Sequence, residues 1–151
     1  MKKIILLSAI AFTFFGCKKE GEAGKKPVLT FKSVTMEDIP TDVHEIHYIF
    51  DLQDGDGDTE GEFFVTDIYR QDSTKYDYML MPGLESHSGI KLKAELTLVV
   101  SDVNESNFLR LRGNNPTPTT NPDTSQLKVY IVDKAGNASD TLRLPKVAIH
   151  Y

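Results

Sequence analysis

The stretch Asp51–Glu62, D-L-Q-D-G-D-G-D-T-E-G-E, sets six carboxylates into twelve residues with no basic residue among them. Like charges a few ångströms apart repel by roughly 1 kcal/mol even in water, so a folded loop of this kind wants a cation. Calcium takes several hard oxygens around one point, and aspartate alternating with small glycine brings them there. Two registers of the calcium-loop template are open. Begun at Asp54, the template finds carboxylates at its positions 1, 3 and 5 (Asp54, Asp56, Asp58), but Thr59 takes the turn glycine's place and Val65 the twelfth. Begun at Asp56, it finds Asp56, Asp58 and Glu60, then Gly61 sixth, Phe63 at the apolar eighth and Asp67 twelfth. The second register fits better, its departures being Glu at the fifth position and Asp at the twelfth. The expected calcium ligands are therefore Asp56, Asp58, Glu60 and Asp67, with Asp54 joining them or lying alongside. Asp67 alternates with Phe63, Val65 and Tyr69, which sets it toward the core side of its strand. The competing reading is a solvated acidic loop that keeps a strand end soluble. Strand patterns on both sides exclude a helix–loop–helix.

Little else in the chain has the types and spacing for chemistry. Cys17 is the one cysteine, so there is no intrachain disulfide and no cysteine-based zinc site. His44 and His47 lie three apart on a strand and face opposite sides, so they cannot share a metal. His87 falls in a loop and His150 at the end of the chain. Ser86-His87-Ser88-Gly89 lacks the spacing of a nucleophile elbow, and no glycine-rich phosphate loop precedes a helix. Tyr76 and Tyr78 share a strand face and offer rings for stacking a sugar or for a core.

These residues are carried by a short address segment and one domain. Lys2 and Lys3 open a mostly apolar run from Ile4 to Phe15, followed by Gly16 and Cys17. A spanning helix needs about 20 apolar residues, so residues 1–16 read as an export signal and not a membrane anchor. Residues 17–27 follow as a tether without apolar periodicity; its ten residues from Lys18 reach roughly 17–19 Å. The net charge is −5, and removing residues 1–16, whose charges are Lys2 and Lys3, leaves 15 bases against 22 acids, or −7. That balance argues against nucleic acid and against anionic lipid surfaces.

From Val28 onward the chain alternates with period two, the pattern of half-buried strands. His44, Ile46, Tyr48, Phe50 and Leu52 share one face. Ile90, Leu92, Ala94, Leu96, Leu98 and Val100 form the most regular face, which predicts a central strand. Leu127, Val129 and Ile131 form a third, and weaker candidates cover 28–36, 63–70, 76–81, 108–112 and 141–149. In the last, the apolar parity slips at Pro145, as a bulge on an edge strand would produce. Ser101–Asn107 has room for one turn of helix, and Gly113–Gln126, with three prolines, reads as a long loop. Asp133–Ser139 reads as a hairpin turn, because Gly136 and Asn137 supply positive φ. Seven or eight such strands predict an all-β antiparallel sandwich over residues 28–151.

Four features add a resemblance. Phe14-Phe15-Gly16-Cys17 resembles a bacterial lipobox, with Phe14 where leucine is usual. Lys18-Lys19-Glu20-Gly21-Glu22 resembles the charged export tag of surface-displayed lipoproteins in Bacteroidota-type bacteria. The D-G-D-G-D loop and the D-x-A-G-N-x-S hairpin are similar to those of lipoproteins of unknown function with immunoglobulin-like modules from such bacteria. The resemblance implies an immunoglobulin-like sandwich, lipid attachment at Cys17 and placement at the outer membrane, displayed on its surface, and it implies no activity. The expected function is thus a non-catalytic binding or structural module, calcium-stabilised, anchored to the membrane at Cys17 and open to a protein or glycan ligand. An accessory subunit of a cell-envelope complex and a carboxylate-based hydrolase are the alternatives.

Overall fold

The fold is that of a computed structural model, which describes residues 26–69, 74–82, 91–103, 109–112 and 121–151. Among these residues ten strands are described: β1 (Val28–Val34), β2 (Asp38–Ile39), β3 (Glu45–Asp54), β4 (Glu62–Asp67), β5 (Asp77–Leu80), β6 (Leu92–Ser101), β7 (Asp123–Ser125), β8 (Leu127–Val132), β9 (Leu142–Arg143) and β10 (Val147–Ile149). Among the described residues there is no helix. Of the helical turn expected over Ser101–Asn107, Ser101 is strand and Asp102–Val103 a bend of chain, and the rest lies outside the described residues. Residues 109–112 are likewise not strand, while β7 cuts into the predicted 113–126 loop.

The strands form three sheets, ordered β1-β3-β6, β2-β10-β7 and β5-β4-β8-β9. All pairings are antiparallel except β10 with β2. The long alternating stretch of β3 makes it the middle strand of its sheet, with β1 on one side and all ten of its residues paired to β6 on the other. The regular face of β6 therefore belongs to a strand paired on one side among the described residues, and the central place expected for it falls to β3. Its Leu98 and Val100 are buried, whereas Leu96 is half-buried; Ile90 lies outside the described residues.

One core joins the sheets. Ile46, Tyr48, Phe50 and Leu52 of β3 meet Phe63 and Val65 of β4 and Leu127, Val129 and Ile131 of β8. Phe50, fully buried, stands edge-on to both Phe31 of β1 and Phe63 of β4 at 5.9 Å. Burying such a side chain is worth about 2–3 kcal/mol. The slip at Pro145 is larger than a bulge. Leu142–Arg143 pairs with β8, whereas Val147–Ile149 pairs with β7 and β2, so the chain changes sheet at the proline. Proline has no amide hydrogen for a ladder and suits a residue between two sheets.

A second fastening lies among the chain's bends. Arg112, 13% exposed in its side chain, donates from Nε to the His150 carbonyl and from Nη1 to the Val43 carbonyl and Asp102. Its Nη2 donates to the Pro40 carbonyl. The planar five-donor fork of arginine is what lets one side chain hold three separate segments, the Pro40–Val43 turn, Asp102 and His150.

Candidate metal site

The inward face of β3 does not stop at Leu52. Period two carries it to Asp54, which is 2% exposed, and neither of its carboxylate oxygens has a hydrogen-bond partner. The chain then leaves the three-stranded sheet and crosses to β4 in the four-stranded one through residues 55–61. Gly57 turns the crossing with φ at 70°, a conformation L side chains rarely adopt. Gly61 passes so close to β8 that a Cβ there would sit 1.8 Å from the Val132 carbonyl oxygen. Its amide donates to the Thr59 carbonyl at 2.8 Å, which tightens the loop onto itself.

The other wall of the site comes from the end of β8. Leu127, Val129 and Ile131 are buried at alternate positions, and the next residue of that parity is Asp133, 5% exposed. Asp133 opens the hairpin turn read from the sequence. Its amide donates to the Asn137 carbonyl at 3.0 Å, and Gly136, with φ at 88°, donates to the Asp133 carbonyl at 3.1 Å. Asn137 donates to the Asp133 carboxylate twice, from its amide at 2.7 Å and from Nδ2 at 2.8 Å. The hairpin touches the acidic loop directly: the Lys134 amide donates to the Asp58 carbonyl at 3.0 Å.

Asp54, Asp58 and Asp133 each bring a carboxylate oxygen within 4.8 Å of the other two. At an effective dielectric of about 20, each ionised pair at such a distance repels by roughly 3 kcal/mol. The protonation equilibria carry that strain. Burial raises the pKa of Asp54, and the negative charges of Asp56 and Asp133 add to it. The backbone of Asp56 offsets part of this without reaching hydrogen-bond geometry at either Asp54 oxygen. Burial, a side-chain contact with Asp56 and the charges of Asp133, Asp56 and Asp54 push Asp58 up to about 6. Besides the two oxygens of Asp54, one oxygen each of Asp56 and Asp58 and the Thr59 hydroxyl are buried without a partner. Buried polar atoms are ordinarily satisfied, so five such atoms within Asp54–Thr59 ask for a ligand.

The predicted ligands separate into three groups. Asp54 and Asp58 converge, with Asp56 beside them. Glu60 is turned to the Lys134 ammonium at 3.0 Å. Asp67 stands apart from the cluster, at the opposite end of β4 from Glu62, about 17 Å along the strand. There it accepts from the Ser125 hydroxyl and from the Tyr69 and Gln126 amides. The residue that joins the loop instead is Asp133, which sequence spacing did not single out. Its signal was parity, since it continues the buried face of β8 just as Asp54 continues that of β3.

Every atom that converges here is a hard oxygen, with no nitrogen or sulfur ligand among the three residues. That donor set suits calcium, magnesium or manganese over zinc or copper. The elements elsewhere give no competing centre among the described residues. His44, His47 and His150 pair with Asp102, Glu45 and Asp38 respectively, at 3.1, 2.7 and 2.7 Å, and His87 lies outside the described residues. The rings of Tyr76 and Tyr78 are engaged by neighbours: Tyr76 stands edge-on to Tyr130 at 5.1 Å, and Tyr78 is tilted against Phe64 at 6.0 Å. No family model, curated protein or solved structure matches this chain.

Proposed function

We propose that the chain is a cell-envelope lipoprotein, anchored at Cys17 and displayed at the outer membrane. Its immunoglobulin-like β-sandwich is a non-catalytic binding or structural module that calcium stabilises at the acidic loop. The observation that carries the calcium reading is Asp54, buried to 2% exposure with both carboxylate oxygens unpartnered. A buried carboxylate without a donor is costly unless a cation accompanies it. The same burial favours an ion over a substrate, which supports a structural site over a hydrolytic one. The sandwich is supported by the common core of the β3 and β4 sheets, in contact through Phe50 and Phe63. The anchor is supported by the run from Ile4 to Cys17, and the net charge of −5 favours a protein or glycan ligand over nucleic acid.

Calcium is preferred to magnesium because magnesium demands a near-ideal octahedron and gives up water reluctantly. Extracellular calcium sites have dissociation constants of about 10⁻⁴–10⁻³ M, which fits a stabilising role. Thermal unfolding of the full chain with calcium and with chelator tests the reading. At a hundredfold excess over the dissociation constant, calcium adds about 2.7 kcal/mol, a rise in Tm of roughly 10 °C for a domain of this size. An unchanged Tm at millimolar calcium overturns it.

A further inference from the structure

We propose that Asp133, outside the acidic loop, is a ligand of the bound divalent cation, so that the ion clamps the β1-β3-β6 sheet to the β5-β4-β8-β9 sheet. The inference rests on the calcium reading and adds what the ion holds together. Asp54 closes the inward face of a strand in the first sheet, and Asp133 follows the inward face of a strand in the second. Their carboxylate oxygens meet that of Asp58, from the segment that crosses between the sheets, within 4.8 Å. An independent observation points to the ligand: Asp54 and Thr59 are each 2% exposed, and their side-chain oxygens have no partner.

Asp133 is already built as a ligand is. Its carboxylate is aimed by the Asn137 amide and Nδ2, and donors of this kind orient metal-binding carboxylates and keep their lone pairs directed at the ion. Direct ties between the two loops include the Lys134–Asp58 backbone bond, the Lys134–Glu60 ion pair and the passage of Gly61 against Val132. None of these engages the three carboxylates. Without a cation the two strand ends repel each other; with one, the same charges hold them together.

Hydrogen exchange of the full chain, with calcium ions alone as the probe, separates this from an ion held by the acidic loop by itself. The clamp requires calcium to raise protection at 54–61 and at 133–137 in parallel, with one concentration dependence. Protection confined to 54–61 overturns the clamp and leaves the calcium reading standing. Calorimetric titration of Asp133→Asn gives the second arm. Asn keeps an acceptor for the Asn137 amide but removes the charge, so calcium affinity falls at least tenfold while the calcium-free protein unfolds at a higher temperature. A purely structural role for Asp133 gives the opposite pair, a calcium-free protein that unfolds earlier and an unchanged affinity, and overturns the proposal. Asp51→Asn, in the same acidic stretch but on the outer face of β3, keeps wild-type affinity. A wild-type chain that takes up no calcium and shows no protection change fails the calcium reading itself.

Discussion

Asp54 and Asp133 occupy matching places in two different sheets. Each extends the buried period-two face of its strand by one further residue, where the core has run out of apolar side chains. A hydrophobic residue at either place would have closed the core at this end. Carboxylates there put at least two negative charges, with Asp58 a third, at the point where the chain passes from one sheet to the other. The site is thus part of the fold's closure and not an appendage to it.

The pH dependence of the metal-free protein follows from that placement. Asp54 and Asp58 have raised pKa values in the folded chain, Asp58 to about 6 from 3.8. An acid that holds its proton more tightly when folded stabilises the fold below its unfolded pKa and loses that contribution as pH rises through the folded one. In chelator, stability contributed by this site therefore falls between about pH 4 and pH 6–7. Burial works against ionisation of Asp102, yet hydrogen bonds from His44 and Arg112 overcome it and lower its pKa. The contribution of Asp102 is accordingly lost only at more acid pH, outside that window. Denaturant titrations in chelator should show the decline, Asp58→Asn should flatten it, and saturating calcium should reverse it, because the ion binds the deprotonated carboxylates.

Gly61 is required by space. Any Cβ at this position would meet the Val132 carbonyl at 1.8 Å and its carbon at 2.8 Å, and both are backbone atoms that cannot swing aside. Gly61→Ala must push the crossing segment off β8 and with it Asp58 and Glu60. A loss of about 2–4 kcal/mol in unfolding free energy is expected, the range of overpacked or strained sites, together with weaker calcium binding. Gly57→Ala instead strains a positive φ by about 1 kcal/mol. Equal losses for the two variants, measured by denaturant unfolding, would show that the close approach is not the constraint.

The strand pattern was legible because burial follows side-chain alternation, and β3 and β8 bury alternate residues as their spacing predicts, whereas β4 alternates only as far as Val65 and then buries Thr66 and Asp67 as well. The acidic loop was legible as a charge problem, and Asp54 and Asp58 were both among the residues expected to answer it. The carboxylates that converge do not all come from one contiguous twelve-residue loop. Glu60 turns to Lys134, Asp67 lies at the far end of β4, and the third carboxylate arrives from a hairpin far along the chain. Sequence alone has no long-range register, and Asp133 joins Asp54 only once β4 pairs with β8. Pro145 hid a change of sheet for the same reason, since a slip of parity looks alike whether one strand bulges or two strands part company.

The two strongest apolar faces should differ in what they contribute. Phe50 is fully buried in the middle strand and touches rings from two other strands, whereas Leu96, its partner across β6, is half-buried. Phe50→Ala should cost about 3–5 kcal/mol and Leu96→Ala about 2 kcal/mol or less. Chemical denaturation of both variants measures the difference. Equal costs would place the centre of the core between β3 and β6 equally.

The proposed lipid attachment at Cys17 rests on the sequence alone. The run from Ile4 to Phe15 is too short to span a bilayer, and it ends on a small residue directly before the chain's one cysteine. A single acyl chain holds a protein to a membrane only marginally, whereas two or more hold it stably. With the diacylated sulfur and acylated amine proposed at Cys17 the anchor would be firm, and the charged tether after it would lift the domain clear of the headgroups. Cys17→Ser removes the thiol proposed to accept the lipid. Labelled fatty acid should be incorporated by the wild-type chain and not by the variant, and the variant should leave the detergent phase. A Cys17→Ser chain that still carries label and still partitions with membranes would mean that the lipobox reading is wrong and that something else holds the chain there.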